Sequence, residues 1–354
     1  MRPAMPRESA RLMVTWREDP GRVEHVTIGD LPRFARTGDV FVLNQTRVLA
    51  ARLVGRRRGT GGRVEGLYLR AEEAKSGPRR WVALLKGKSV QAGIRIDLED
   101  DTGGMCGVSL EPLAKVDDEP GAWVVAVEGA GVGAEMGDAE ILDRAGLTPL
   151  PPYILKARKV AADVVPDAAD REWYSTSFDR GSPTSVAAPT AGFHLTEAVR
   201  EGLARAGAGF EHVELAVGIG TFRPIESEFV EGHAMHREWC TMTAGTKGKL
   251  VAARQHGGRV LCVGTTAART VESCADLAEE SVWTRLLITP GYSWKIADGL
   301  LTNFHLPRST LLAMVASLFE GGVPVVKALY AQAIARGYRF FSYGDAMLIL
   351  PGKP

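Results

Sequence analysis

Residues 247–278 read KGKLVAARQHGGRVLCVGTTAARTVESCADLA, and this stretch decides the fold class. Lys247–His256 reads as a helix closed by Gly257–Gly258, where freedom at positive φ suits a cap. Arg259–Gly264 is a compact apolar strand and Ala267–Ala278 the next helix. Strands alternating with helices predict a largely parallel sheet covered on both faces. Working outward, Val213, Leu215 and Val217 alternate as on a half-buried strand. Ser309–Phe319 and Val325–Ala335 read as helices, the first behind a Ser/Thr cap and the second behind Pro324. Arg339–Tyr343 and Ala346–Leu350 are strand candidates.

The N-terminal part also carries strands, Arg11–Trp16 and Asp39–Leu43. So short a segment holds too little core to fold alone, so these strands are expected to join the later sheet. Between Gly55 and Gly146 the texture changes. Val64–Leu69, Trp81–Leu85, Ile94–Leu98 and Trp123–Val127 are short apolar runs between glycine-rich turns, and no convincing helix appears before Ala139–Ala145. The expected architecture is α/β: a mostly parallel sheet with helices on both faces, built from 1–54 and 147–354. A small antiparallel β-barrel domain, 55–146, is inserted into it.

Composition narrows the classes. A chain of 354 residues suits two domains, and 45% apolar content is too high for disorder. No purely apolar run exceeds six residues (Leu311–Ala316, for one), against about 20 for a spanning helix. The first residues, MRPAMPRESARL, lack a hydrophobic signal core, and Cys106, Cys240, Cys262 and Cys274 form no CxxC pair. A cytoplasmic monomer with reduced thiols is expected. The net charge of +1 attracts neither nucleic acid nor membrane globally, so such a partner needs a local patch. One is available: Arg47–Arg95 holds 13 Lys+Arg against 3 Asp+Glu, whereas Asp97–Asp143 holds 1 against 13. Either neighbouring strands interleave these charges and the field cancels, or one basic face, including Arg56, Arg57, Arg58, Lys86 and Lys88, meets phosphates.

Ligands in α/β proteins bind outside the carboxyl ends of strands, and polar residues cluster at such places here. Asn44, Thr46 and Arg47 follow the Val40–Leu43 run; the first two suit turn amides, and the arginine suits a carboxylate or phosphate. Small residues at 185–192, with Thr190, precede His194 and a capping Thr196. Val217-Gly-Ile-Gly220-Thr221-Phe-Arg223 is a Gly-x-Gly turn with an anion-binding look. His233, His236 and Glu238 lack metalloprotease spacing, and hydrogen bonding to a polar substrate outranks metal. Gly264, Thr265 and Thr266 open a helix whose unpaired N–H groups suit an anion. Arg269 and Glu272, three apart, read as a substrate contact or a surface ion pair. Asn303, His305 and Thr310 repeat the theme before another helix. No Walker lysine, nucleophile elbow or zinc signature is present.

Eight segments, in order, resemble the S-adenosylmethionine:tRNA ribosyltransferase-isomerase family of queuosine biosynthesis. They are DVFVLNQTRVLAARLVGRR from Asp39, LPPYI from Leu150, SVAAPTAGFHLT from Ser185 and VGIGTFRPI from Val217. HAMHREW from His233, VGTTAARTVES from Val263, LLTNFHLPRSTLLAMV from Leu300 and YRFFSYGDAMLI from Tyr338 complete the set. The resemblance implies an α/β domain interrupted by a β-barrel. It implies transfer of the ribosyl part of S-adenosylmethionine to the aminomethyl group of a deazaguanine at the tRNA wobble position, giving epoxyqueuosine with loss of adenine and methionine. No metal is called for. A sulfonium acidifies the adjacent ribose methylene, so the chemistry wants a base, with His194 and His305 as candidates. Departing adenine wants a proton donor, from His233, His236 or Glu238. The methionine carboxylate wants Thr265, Thr266, Arg269 or Arg223, and Arg56–Arg58 would hold anticodon-loop phosphates around an unstacked base. Three departures stand out. A customary segment before Pro6 is missing, Gln45 stands where the family reads Asp, and AGLHFT reads AGFHLT here. The first two keep open a paralogue acting on a free deazapurine or other amine; a non-catalytic RNA-binding protein is the third reading.

Overall fold

The computed structural model describes residues 2–72, 77–117, 119–129, 132, 135–218, 230–232, 235 and 237–352. The chain divides into two compact units, one of 1–47, 175–182 and 188–354, the other of 48–174 and 183–187. The boundaries of 55 and 146 read from texture fall inside the second unit, which also takes in the helices Pro152–Ala161 and Asp167–Trp173.

In the first unit, nine strands form one sheet in the order Ser281–Thr284, Glu238–Thr241, Gly209–Leu215, Val40–Asn44, Val260–Val263, Gly299–Asn303, Ala346–Leu350, Arg11–Trp16, Val23–Thr27. The N-terminal strands do join it. Val40–Asn44 lies parallel between Gly209–Leu215 and Val260–Val263, and Arg11–Trp16 runs parallel to Ala346–Leu350. Val260–Val263 is also parallel to Gly299–Asn303, while the pairings toward both edges of the sheet and the inner pair Gly299–Asn303 with Ala346–Leu350 include antiparallel ones, so the sheet is mixed. Arg339–Tyr343 is not a strand: Gly344 donates to Phe341 in a turn there, and the buried Asp345 ties down the Arg339 amide at 2.7 Å.

The central strands are apolar throughout because both faces are buried. Leu12, Val14, Phe41, Leu43, Leu261, Val263 and Leu301 pack with Ile28, Leu31, Val199 and Leu203 on one face. The alternate residues Val42, Cys262, Leu300 and Met347 are equally buried on the other, where Thr265–Ser273 packs across the strand centre. Fully burying a side chain of this kind stabilises by about 1.5–3 kcal/mol. The cap residues behave as read: the Thr196 hydroxyl accepts from Val199 and the Ser309 hydroxyl from Leu312, at 3.4 and 3.2 Å. Thr310–Ser317 and Gly322–Ala335 meet at 104°, and among the described residues no single helix is long and apolar enough to cross a membrane.

The second unit holds a six-stranded antiparallel barrel. Its order is Arg52–Arg57, Arg63–Glu72, Arg79–Lys86, Ala122–Gly129, Met105–Lys115, Ile96–Glu99, closed by pairing of the last with the first. At the closure Gly55 lies so near the partner strand that a β-carbon would sit 2.5 Å from the Asp97 carbonyl. Arg52–Arg57 and Met105–Lys115 are the two barrel strands absent from the four sequence candidates, and the longer of them has an evident reason. In Met105–Lys115, Gly107 and Pro112 interrupt the apolar pattern, and the pairing with Ala122–Gly129 slips by a residue beside Pro112.

Register also answers the question of the charge blocks. The basic strand Arg52–Arg57 pairs with the acidic strand Ile96–Glu99, and Arg56 sits opposite Asp97. Arg56 meets Glu99 at 2.6 Å, and Arg58 holds Asp97 in a two-nitrogen fork at 3.1 and 2.5 Å. Arg95 adds Glu128 at 2.9 Å. Neighbouring strands interleave the two signs, so Arg56 and Arg58 already have carboxylates where phosphate contacts were expected.

Candidate active site

Four chain segments meet at the carboxyl ends of the central strands. Gly264, in a left-handed conformation (φ +89°), turns the Val260–Val263 strand into the nine-residue helix Thr265–Ser273. Both Thr265 and Thr266 are buried at its start, and so is Arg269 one turn on. Arg269 reaches Glu238 as a buried ion pair, and Glu238 also accepts the Gly218 amide at 2.9 Å. Burial pulls the guanidinium down to about 10, so it stays charged at neutral pH. The Thr266 hydroxyl and the Arg269 Nε, three residues apart on one helix face, are buried without a hydrogen-bond partner among the described residues. Buried polar atoms are rarely left so, and this pair marks where a polar ligand would be received.

Two sequence readings change here. Arg269 and Glu272 form no surface pair. Glu272 is 2% exposed and accepts from the Tyr292 hydroxyl and the amides of Lys295, Ile296 and Ala297 at 2.8–3.0 Å. Its acceptor capacity is taken up in fastening that segment, which makes it a positioning residue rather than a substrate contact. Glu238, read as a proton donor, is a carboxylate facing a guanidinium; an ion-paired oxygen has no proton to give. Its partner lies 31 positions away in sequence, so no local spacing announces the pair.

Asn44 is buried and its bonds go to the backbone. Its Nδ2 donates to Leu215 at 3.3 Å, and its Oδ1 accepts from the Leu215 and Thr46 amides, both at 3.2 Å. It therefore fixes the neighbouring strand end and the buried Thr46, while Arg47 is exposed. Gln45 donates to Glu214 at 3.0 Å; an Asp there would face a like charge.

The two candidate bases are separated by strand alternation. Asn303 lies on the Leu301 face, where its Nδ2 donates to His194 Nε2 at 3.1 Å and Thr190 donates to its Oδ1 at 2.8 Å. With Nε2 accepting, the neutral His194 ring carries its proton on Nδ1 and has no lone pair left for a substrate. The ring is buried beside a hollow of about 10 Å³, room for one water at most, lined by Arg7, Phe193 and Tyr343 among others. Burial, with Arg7 and Arg339 adding, pulls it down to about 4. Thr302 points to the opposite face, the one carrying Thr265–Ser273, and its hydroxyl meets His305 Nε2 at 2.8 Å. His305 also sits at about 4 through burial, and its main-chain N–H donates to the Tyr330 hydroxyl at 3.0 Å. A hydroxyl can accept as well as donate, so here Nδ1 is free to hold a lone pair. Thr310, also buried, begins the next helix. Gly220, Thr221, Arg223, His233 and His236 lie outside the described residues.

A strand-end cluster of buried polar groups around an ion-paired arginine, in a mixed α/β unit with a closed barrel interposed in the chain, defines an α/β enzyme of composite architecture. The chain belongs to the queuosine biosynthesis protein family, whose model matches residues 1–349. It is 41% identical over 355 residues to the S-adenosylmethionine:tRNA ribosyltransferase-isomerase of Gloeobacter violaceus, covering 99% of this chain and 92% of that one. The enzyme of the same name from Sphingopyxis alaskensis is 41% identical over 356 residues, covering 99% and 93%. Among solved structures, the S-adenosylmethionine tRNA ribosyltransferase of Thermotoga maritima matches with a TM-score of 0.51 and 31% identity, covering 99% of this chain and 95% of that one.

Proposed function

We propose that this enzyme transfers and isomerises the ribosyl group of S-adenosylmethionine onto the aminomethyl group of 7-aminomethyl-7-deazaguanine at the wobble position of tRNA, forming epoxyqueuosine and releasing adenine and methionine. A tRNA acceptor places the reaction in the cytoplasm. The observation carrying the reading is the orphaned pair Thr266 Oγ1 and Arg269 Nε at a helix start, a receptor for the donor's methionine carboxylate. Glu238 keeps that arginine in place and also holds the Gly218 amide.

His305 is the base. It shares its face of the sheet with the Arg269 helix, is neutral at physiological pH and has Nδ1 available to take a proton from the methylene beside sulfur. His194 is a positioning residue that fixes Asn303. The acid for departing adenine is His233 or His236.

The test is mass spectrometry of tRNA bearing the deazaguanine amine after incubation with donor. The ribosyl-derived mass should appear with stoichiometric adenine and methionine. Turnover with the free base but not with tRNA would show the paralogue, and tight tRNA binding without adenine release the non-catalytic binder. Deuterium exchange at the ribose methylene should be lost in His305→Ala and kept in His194→Ala; the reverse pattern would overturn the assignment.

A further inference from the structure

Glu238–Thr241 and Ser281–Thr284 form an antiparallel ribbon at one edge of the large sheet. Its inward side chains serve the site: Glu238 reaches Arg269, and Cys240 is fully buried. Alternation therefore turns Trp239 and Thr241 outward on one strand and Ser281 and Trp283 on the other. The register sets Trp239 opposite Trp283, and the indoles meet edge to face with centroids 5.4 Å apart. They are 41% and 54% exposed, an unusual concentration of aromatic surface left in water.

What surrounds the rings tells what they bind. The Arg237 guanidinium lies over the Trp283 ring, 5.1 Å from its centroid, and exposed Arg285 follows Trp283 by two residues. Because Glu238 pairs with Thr284, both arginines fall at the same end of the ribbon. Thr241 and Ser281, bonded at 2.9 Å, add hydroxyls to the outer face. The carboxylates Glu279 and Glu280 lie at the far end, Glu280 tied to the Ala244 amide at 2.6 Å. A protein partner would be met by aliphatic surface around the indoles; these are met by guanidinium groups and hydroxyls. Flat π-faces flanked by cations suit unpaired nucleobases, which stack on the rings while their phosphates meet the arginines.

We propose that the Trp239–Trp283 ribbon is a stacking platform for unpaired bases of the RNA substrate, next in sequence to the ion-paired Glu238. The proposal rests on the tRNA reading above for the identity of the RNA. It needs no contribution from Arg56–Arg58.

The experiment titrates an anticodon stem-loop RNA into the full-length protein, following tryptophan emission and, separately, anisotropy of labelled RNA. Wild type should show quenching on binding. Trp283→Ala should weaken the Kd roughly tenfold to hundredfold, and Trp283→Tyr should restore most of it. In turnover assays Trp283→Ala should raise KM for tRNA and leave KM for S-adenosylmethionine unchanged. Binding by Trp283→Ala as tight as wild type would overturn the platform, as would an effect confined to the donor KM. A change of oligomeric state without a change in RNA affinity would overturn it too, making the ribbon a self-association face. Should wild type release no adenine with any tRNA, the functional reading fails instead, while the stem-loop titration still decides the platform.

Discussion

Arginines do opposite work in the barrel and at the strand ends of the large sheet. On the barrel, Arg56 and Arg58 keep about half their side-chain surface exposed and meet carboxylates across a strand seam. At the strand ends, Arg269 and Glu238 keep 5% and 3%. Water screens the first kind, and such pairs contribute little to stability. The second kind is removed from water, so each charge depends on the other, and deleting one leaves an uncompensated ion. Burial rather than residue type decides which charges are structural necessities and which are exchangeable.

Three substitutions sharpen or break that contrast. The largest effect is expected from Glu238→Ala, which strands Arg269 in the interior; about 3–5 kcal/mol should be lost in chemical denaturation, with loss of donor binding by calorimetry. An unchanged midpoint would mean the pair is solvated after all. Next comes the buried imidazole. His194 is depressed in the folded state, so its contribution is fully present above the unfolded value of 6.5 and is lost as pH falls toward 4, where the unfolded chain takes up a proton that the buried ring refuses. The loss is on the order of 3 kcal/mol. Urea midpoints should fall more steeply between pH 7 and pH 4.5 in wild type than in His194→Gln; parallel curves would remove the account. The smallest effect belongs to Arg58→Ala, whose exposed ion pair is screened by water, with the urea midpoint and tRNA affinity little changed. A large loss of tRNA affinity there, growing at low salt, would restore a phosphate role to the basic run.

How much of this the sequence disclosed depends on the range of the interaction. The Gly264 turn, the Thr196 and Ser309 caps and the strand–helix alternation are local, and each residue type carries its own reason to be there. The Arg269–Glu238 pair, the Glu272 anchor of the 292–297 segment and the cancellation of the charge blocks are set by topology and register, which a linear reading does not contain. Two hydroxyl-and-histidine motifs that look alike in sequence, around His194 and His305, part company because Asn303 and Thr302 are neighbours on a strand and so face opposite ways. The Trp239–Trp283 ribbon escaped for the same reason. Its members are 44 residues apart and meet only through antiparallel pairing.

The proposed donor site lies at the carboxyl ends of Val40–Asn44, Val260–Val263 and Gly299–Asn303. A crystal structure of the complex with S-adenosylmethionine tests it most directly. The methionine carboxylate should lie on Thr266 and Arg269, with the ribose methylene facing His305 Nδ1. Donor density in the groove lined by Lys247, Val251 and Cys274, or on the barrel, would contradict it.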